Sequence, residues 1–307
     1  MKIIKPVFWS EKNFLSLLLY PLTVLTFLIN LIKKFSVNKK FSIKTICIGN
    51  ICVGGTGKTP LSIKIDKILK KKYKTVFVKK KYSDQSDEQS LLRSNGNLIC
   101  TNYRDNGLKI AQKLKYDVAI MDDGLQEKSI KYDLTIACFN TSEGIGNGLL
   151  LPAGPLRENI SAIKNYDAIF LNGEKKNKKL FLLLKKINNN LKIFEGKYVP
   201  LNIKNFNRNK KFLIFSGLGN PEEYERTLKK YKFKIKEKFV FPDHHKFSNS
   251  EIKKIKKIAK NNKLEIITTE KDYFRLNNKN KKNIKFLKVN LQIKNIKKFS
   301  RFLEERL

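Results

Sequence analysis

The stretch "KTICIGNICVGGTGKTPLSIKIDKILKKKY", residues 44–73, decides the fold. An apolar, β-branched run over 43–50 predicts a strand, and the pattern over 60–73 predicts a helix. Between them lies a glycine-rich turn that closes on Gly57-Lys58-Thr59. Strand, glycine turn and helix in that order are what a phosphate-binding loop requires. Glycines let successive backbone N–H groups point inward at phosphate oxygens, and the following helix adds its positive end. Gly54, Gly55, Thr56 and Gly57 would form the cradle. Lys58 would pair with the β- and γ-phosphates, and the Thr59 hydroxyl would sit on Mg²⁺.

One feature departs from the strict motif. The glycine expected six residues before the lysine is Cys52. The pair Gly54-Gly55 is similar to the variant loop of partitioning-type ATPases, but the extra lysine of that loop is Val53 here. A second apolar run, "VAIMDD" at 118–123, ends in Asp122-Asp123 and supplies carboxylates for Mg²⁺. No Asn-Lys-x-Asp guanine signature exists, and "TEKD" at 269–272 has the wrong spacing, so ATP is expected rather than GTP.

Further strands are predicted at 74–80, 134–140 and 168–173, alternating with helical patterns. That alternation predicts a doubly wound, three-layer α/β/α domain of the P-loop type. An extended stretch follows near 193–203. From about 207 a strand, Gly turn and helix begin a second, smaller α/β unit, with Ser248 or Asn249 as a helix cap and "IKFLKVNL" as a last strand. The expected organisation is an N-terminal segment (1–40), the P-loop domain (41–192), a β linker (193–206) and the smaller C-terminal domain (207–307).

The chain has 307 residues and a formal net charge of +38, with 65 Lys and Arg against 27 Asp and Glu. Such charge suggests nucleic acid or an anionic membrane. The basic residues are nearly all lysine and are spread along the whole length, without the arginine and aromatic clustering of a nucleic-acid surface. Lysine-rich solvated helix faces, weakly drawn to an anionic bilayer, are the expectation, and no nucleic-acid partner. Cys47, Cys52, Cys100 and Cys138 form no Cys-x-x-Cys pair and read as reduced residues in a reducing compartment.

"FLSLLLYPLTVLTFLINLI", 14–32, is a run of 19 uncharged residues. One continuous helix of that length would reach about 28 Å, close to a bilayer's hydrocarbon thickness. A cleaved signal peptide is rejected because no small-residue cleavage site follows and a nucleotide loop begins soon after. The run predicts a membrane anchor, spanning or half-inserted, with Pro21 as a kink and a buried core helix as the alternative. Lysines on both flanks leave the topology open.

The stretch "GNGLLLPAGPLRE", 146–158, is too rich in Gly and Pro for a helix or strand and presents Arg157 and Glu158. Together with "GNICVGGTGKTP", "DDGLQ", "SGLGNPEEY", "FPDHHKF" and "TTEKD", in this order, it resembles the tetraacyldisaccharide 4′-kinase family of lipid A biosynthesis. The resemblance covers most of the chain after about residue 43, and a hydrophobic N-terminal helix is also a family feature.

It implies transfer of the γ-phosphate of ATP, with Mg²⁺, to the 4′-hydroxyl of a lipid-linked glucosamine disaccharide 1-phosphate. The expected place is the cytoplasmic face of the bacterial inner membrane, and the expected state is a monomer. The resemblance also implies two α/β/α domains joined by a short β linker, with the active site in the cleft between them. A sugar hydroxyl needs a carboxylate to accept its proton. The family's base lies in a Gly-Asp-Glu stretch matched here by "SDEQ", which makes Asp87 the candidate, with Glu88 beside it and Asp84 as fallback. The family's Asp-His motif falls on Asp243-His244, so His244 would orient the base.

Arg157 would balance phosphate charge, on ATP or on the substrate's 1-phosphate; Gln126 is carried over as a nucleotide contact, Tyr82 as an aromatic one, and Thr59, Asp122, Asp123 and Glu158 as the Mg²⁺ set. Glu127 stands where the family usually has His, and Lys80-Lys81-Tyr82 stands for the usual Arg-Gly-Tyr. The competing readings are a membrane-associated P-loop ATPase without a lipid acceptor, and a basic binding module with a vestigial loop.

Overall fold

A computed structural model describes residues 6–82, 86–243 and 245–307. The apolar N-terminal run breaks into two helices, α1 (Phe14–Leu18) and α2 (Thr23–Lys34), separated by a 3₁₀ turn at Tyr20–Leu22 that contains Pro21. Proline removes an amide donor and clashes with the preceding turn, so the single spanning helix does not form. Among the described residues no helix is long and apolar enough to cross a membrane.

The chain then alternates as β1 (Lys44–Asn50), α3 (Lys58–Leu69), β2 (Thr75–Lys80), α4 (Ser86–Arg93), β3 (Leu98–Thr101), α5 (Arg104–Lys113), β4 (Val118–Asp122), β5 (Leu134–Asn140), β6 (Ala168–Asn172), α6 (Lys178–Ile187) and β7 (Lys192–Pro200). It continues through β8 (Lys211–Ser216), α7 (Pro221–Lys230), β9 (Lys234–Val240), α8 (Asn249–Asn261), β10 (Glu265–Thr269), α9 (Glu270–Arg275), α10 (Asn278–Lys281) and β11 (Ile284–Leu287). It ends with β12 (Val289–Ile293) and α11 (Ile296–Glu304).

These elements assemble into two units, each built on its own sheet. The larger holds Pro6–Tyr82, Leu92–Tyr198 and Leu291–Leu307. Its sheet has eight strands in the order β12-β7-β6-β5-β1-β4-β2-β3. β1 pairs in parallel with β4 on one side and β5 on the other, which makes its carboxyl end a topological switch point, where open α/β sheets bind ligands. Leu108 and Ala111 of α5 and Leu180 and Leu184 of α6 pack on one face with Cys47, Val78 and Met121. Side chains alternate across a strand, so Phe77, Ile120 and Phe170 serve the opposite face. There Phe299 of α11 meets the rings of Phe194 and Phe170 at 4.8 and 6.3 Å.

The smaller unit holds Val199–Asn290 together with residues 86–91. Its four parallel strands run β11-β10-β8-β9. Tyr224 and Leu228 of α7 cover one face; Ile252, Ile255 and Ala259 of α8 cover the other. Ser248 caps α8 in a capping box with Glu251. "IKFLKVNL" proves to be two strands: β11 belongs to the smaller sheet and β12 to the larger. A run without glycine or proline to mark a turn cannot show that the chain changes sheets at Lys288.

Candidate active site

The loop after β1 is held open by its own geometry. Gly57 caps α3 in the left-handed region, φ +88°, with no side-chain cap. A Cβ there would stand 2.7 Å from Asn172 Nδ2 and 2.8 Å from Tyr198 Oη, so only glycine fits. The first amides of a helix point out of its N-terminal end, which is where a phosphate group can be received. Asn50 Nδ2 donates to the carbonyls of Cys52 and Gly54 and laces the loop from inside. Val53 N donates to Pro155 O at 2.8 Å and Arg157 N to Ile51 O at 2.7 Å, which stitches the glycine turn to the 146–158 segment.

Beside this turn the Thr56 hydroxyl and both amide atoms of Asn172 are buried without a hydrogen-bond partner among the described residues. Each such group costs about 1–3 kcal/mol if it stays unsatisfied. A phosphate-bearing ligand at the loop is the kind of partner they lack.

Parallel register sets Ile48 of β1 beside Asp122, the last residue of β4. The Asp122 carboxylate is fully buried and accepts from Thr59 Oγ1 at 3.1 Å, Ser62 Oγ at 3.1 Å and Lys79 Nζ at 2.8 Å. Asp123 takes φ +64°, uncommon for a residue with a Cβ, which aims its carboxylate at cations. Arg157 Nη1 lies 3.0 Å from its Oδ1 and Lys58 Nζ 3.9 Å from its Oδ2. Arg104, buried at the start of α5, donates to the Asp123 carbonyl and so braces that turn.

Gln126 and Glu158 bond to each other at 3.0 Å. Glu158 also accepts from Tyr166 Oη at 2.5 Å and lies 3.3 Å from Lys128 Nζ. Burial, and then the Glu158 charge, push the Tyr166 phenol well above its usual range and keep it a donor. Glu127, the acidic departure, faces Arg104 Nη1 at 3.9 Å, so the added anion has a cation opposite it. Tyr82 lies under Lys80 Nζ, 5.7 Å from the ring centroid.

In the smaller unit, Asp87 and Glu88 open the first turn of α4, and both are buried. Arg275 Nη2 donates to Asp87 Oδ2 at 2.7 Å, and Lys271 Nζ lies 3.4 Å from that same oxygen. Lys271 also stands 3.4 Å from Glu88 Oε1 and 3.5 Å from Asp243 Oδ1. Burial alone would push the Lys271 ammonium down; Glu88, Asp243 and Asp87 together reverse this and hold it above its usual range.

Arg275 is fixed from behind. Its Nη1 donates to Asp272 Oδ1 and Gly217 O, both at 2.6 Å. Asp272 accepts in turn from Gly217 N and from the Thr269 hydroxyl, and Thr269 caps α9. Burial pushes the Asp272 carboxyl up, against the pull of Arg275. The motif stretches containing Asp87, Gly217, Asp243 and Lys271 thus meet at one ionic cluster.

His244 and Asp84 lie outside the described residues. His245 bonds Glu251 at 3.0 Å and stacks on Phe241, so it belongs to the cap of α8. Sequence reasoning missed Lys79, Arg104 and Arg275. Lys79 follows four apolar or β-branched residues of β2, but a lysine at the end of such a run reads as solvent-facing, and only the structure shows it sharing their burial. Among the described residues, no group of three or more His, Cys, Asp or Glu side chains could hold a metal alone.

A sequence model of the family described as tetraacyldisaccharide-1-P 4′-kinase matches residues 15–307. A tetraacyldisaccharide 4′-kinase of Pelagibacter ubique (strain HTCC1062) is 47% identical over 302 residues, covering 95% of each chain. One from Rickettsia canadensis (strain McKiel) is 34% identical over 315 residues, covering 96% of this chain and 95% of the relative. The fold is similar to that of LpxK from Aquifex aeolicus, whose crystal structure is of a complex with ATP. The TM-score is 0.70 at 23% identity, over 95% of this chain and 99% of that one.

Proposed function

The chain belongs to the tetraacyldisaccharide-1-P 4′-kinase family, and from that premise we infer that it moves the γ-phosphate of ATP to the 4′-hydroxyl of a tetraacylated glucosamine disaccharide 1-phosphate, giving lipid IVA. The observation that carries this reading over a bare ATPase is the cluster around Asp87. Hydrolysis needs only a phosphate loop and a water, yet four separate motifs build a cation-flanked, buried carboxylate on α4.

The residue roles follow from the chemistry. The α3 amides and the glycine turn grip the triphosphate, and Lys58 leaves Asp123 to neutralise the β- and γ-phosphates. Arg157, already turned toward the same carboxylate, balances phosphate charge. Tyr82 contacts the base of the nucleotide. Thr59 and Asp122 hold Mg²⁺, which when bound neutralises charge on the phosphate oxygens as the γ-phosphate departs. Asp87 accepts the proton of the sugar hydroxyl, with His244 orienting it. Gln126 and Glu158 brace the segment that presents Arg157.

The enzyme works as a monomer at the cytoplasmic face of the inner membrane, where its lipid substrate lies. Supporting this, α1 and α2 expose Phe14, Leu17, Leu18, Leu25 and Ile32. Helices too short to span would lie in the interface with those side chains in the acyl boundary. Incubation with radiolabelled ATP and purified disaccharide 1-phosphate tests the reading. Labelled lipid is expected; labelled free phosphate with unmodified lipid would establish the ATPase instead.

A further inference from the structure

Lys79 stands outside every role assigned above. Its side chain is 0% exposed, as is that of Asp122, and the two are 2.8 Å apart. The pairing is set by backbone register: Val78 of β2 lies beside Met121 of β4, which brings the next residues abreast. Lys79 and Asp122 therefore emerge together on the face that α3 covers. The Asp122 oxygen that receives Lys79 also receives the Thr59 hydroxyl, the group that would touch Mg²⁺. A permanent cation and a metal ligand thus share one carboxylate.

An ion pair taken wholly out of water costs several kcal/mol, and apolar residues of similar volume often pack as well or better. Stability alone gives little reason to place a lysine there. Its charge does have an electrostatic consequence. A lone carboxylate behind Thr59 would attract Mg²⁺ and repel a metal-free triphosphate. A carboxylate paired with Lys79 does each more weakly, and Lys58 and Arg157 remain to draw the polyanion.

We propose that Lys79 is a positioning residue that neutralises Asp122, fixes it on Thr59 and shifts the site's preference from the Mg²⁺-bound toward the metal-free nucleotide. The inference rests on the assignment of the loop to ATP. The quantity it controls is the ratio of the ATP dissociation constant in EDTA to that in excess Mg²⁺. A unit charge removed a few ångströms from the phosphates in a partly buried site changes such a ratio on the order of tenfold.

Calorimetric titration of the full chain with ATP, with and without Mg²⁺, tests this. Lys79→Met should raise the ratio about tenfold. Asp122→Asn should lower it, and Lys79→Met/Asp122→Asn should lie between the two single variants. A Lys79→Met protein that folds, binds ATP and keeps the wild-type ratio overturns the proposal, because a purely structural lysine would leave the ratio alone. Should Lys79→Met not fold, the double variant must still exceed Asp122→Asn; equal ratios in those two overturn it as well. Wild-type protein that binds no ATP under either condition overturns the nucleotide reading and this proposal with it, whereas binding with unmoved ratios overturns this proposal alone.

Discussion

Asp122 and Asp87 are both buried carboxylates beside cations, but they are held in different ways. Asp122 ends a central strand, and its partners Thr59, Ser62 and Lys79 come from adjoining elements of one sheet-and-helix layer. Backbone hydrogen bonding places them. Asp87 sits on the first turn of a short helix and depends on Arg275, 188 residues later, and on Lys271. Side-chain ion pairs tie it to Arg275 and Lys271. The phosphate-binding part should therefore tolerate loss of a neutral donor such as Ser62, while the Asp87 cluster should fail when one cation goes.

Four substitutions test that contrast. Lys58→Ala should be the most damaging, lowering kcat roughly 10³-fold because charge developing on the transferring phosphoryl group loses its nearest cation. Phosphorylation of the disaccharide measures it, and near-normal turnover would remove Lys58 from the chemistry. Asp87→Ala should lower kcat about 10²- to 10⁴-fold while the ATP dissociation constant stays within a few-fold. A variant that lost only ATP affinity would take the base role away from Asp87.

Arg275→Met should cost about 3–5 kcal/mol of stability, since it strips a guanidinium from two buried carboxylates, Asp87 and Asp272. Denaturant titration followed by kcat on the surviving folded protein reads both effects, and an unchanged midpoint would erase the brittleness assigned to this cluster. Ser62→Ala should do least. It removes one of three donors to Asp122, about 0.5–1.5 kcal/mol, with kcat little changed. A loss as large as that of Arg275→Met would show the phosphate-binding part to be equally fragile.

The same contrast explains what the sequence disclosed. The phosphate loop was legible because strand, glycine turn and helix are contiguous, and Asp122 because a strand carries it to the same edge. Lys79 was not, since lysine at a strand's end usually means solvent; only pairing with β4 shows it enclosed. The partners of Asp87 were illegible for a different reason. Nothing local links "SDEQ" to Arg275, and "TTEKD" reads as strand and loop until Thr269 is seen capping α9. The break at Pro21 was anticipated as a kink, but its completeness was not, because apolar composition is the same on either side of the 3₁₀ turn.

The N-terminal helix has a further attachment that bears on how the protein is handled. Thr26 Oγ1 of α2 donates to the Leu151 carbonyl at 2.7 Å, and Asn30 Nδ2 to the Arg157 carbonyl at 2.8 Å. Cutting the chain before Phe35 to make it easier to purify would remove more than a greasy handle. It would unpin the backbone beneath the arginine that faces Asp123, so a trimmed enzyme assayed on a water-soluble sugar acceptor should still be impaired, with no bilayer present to blame.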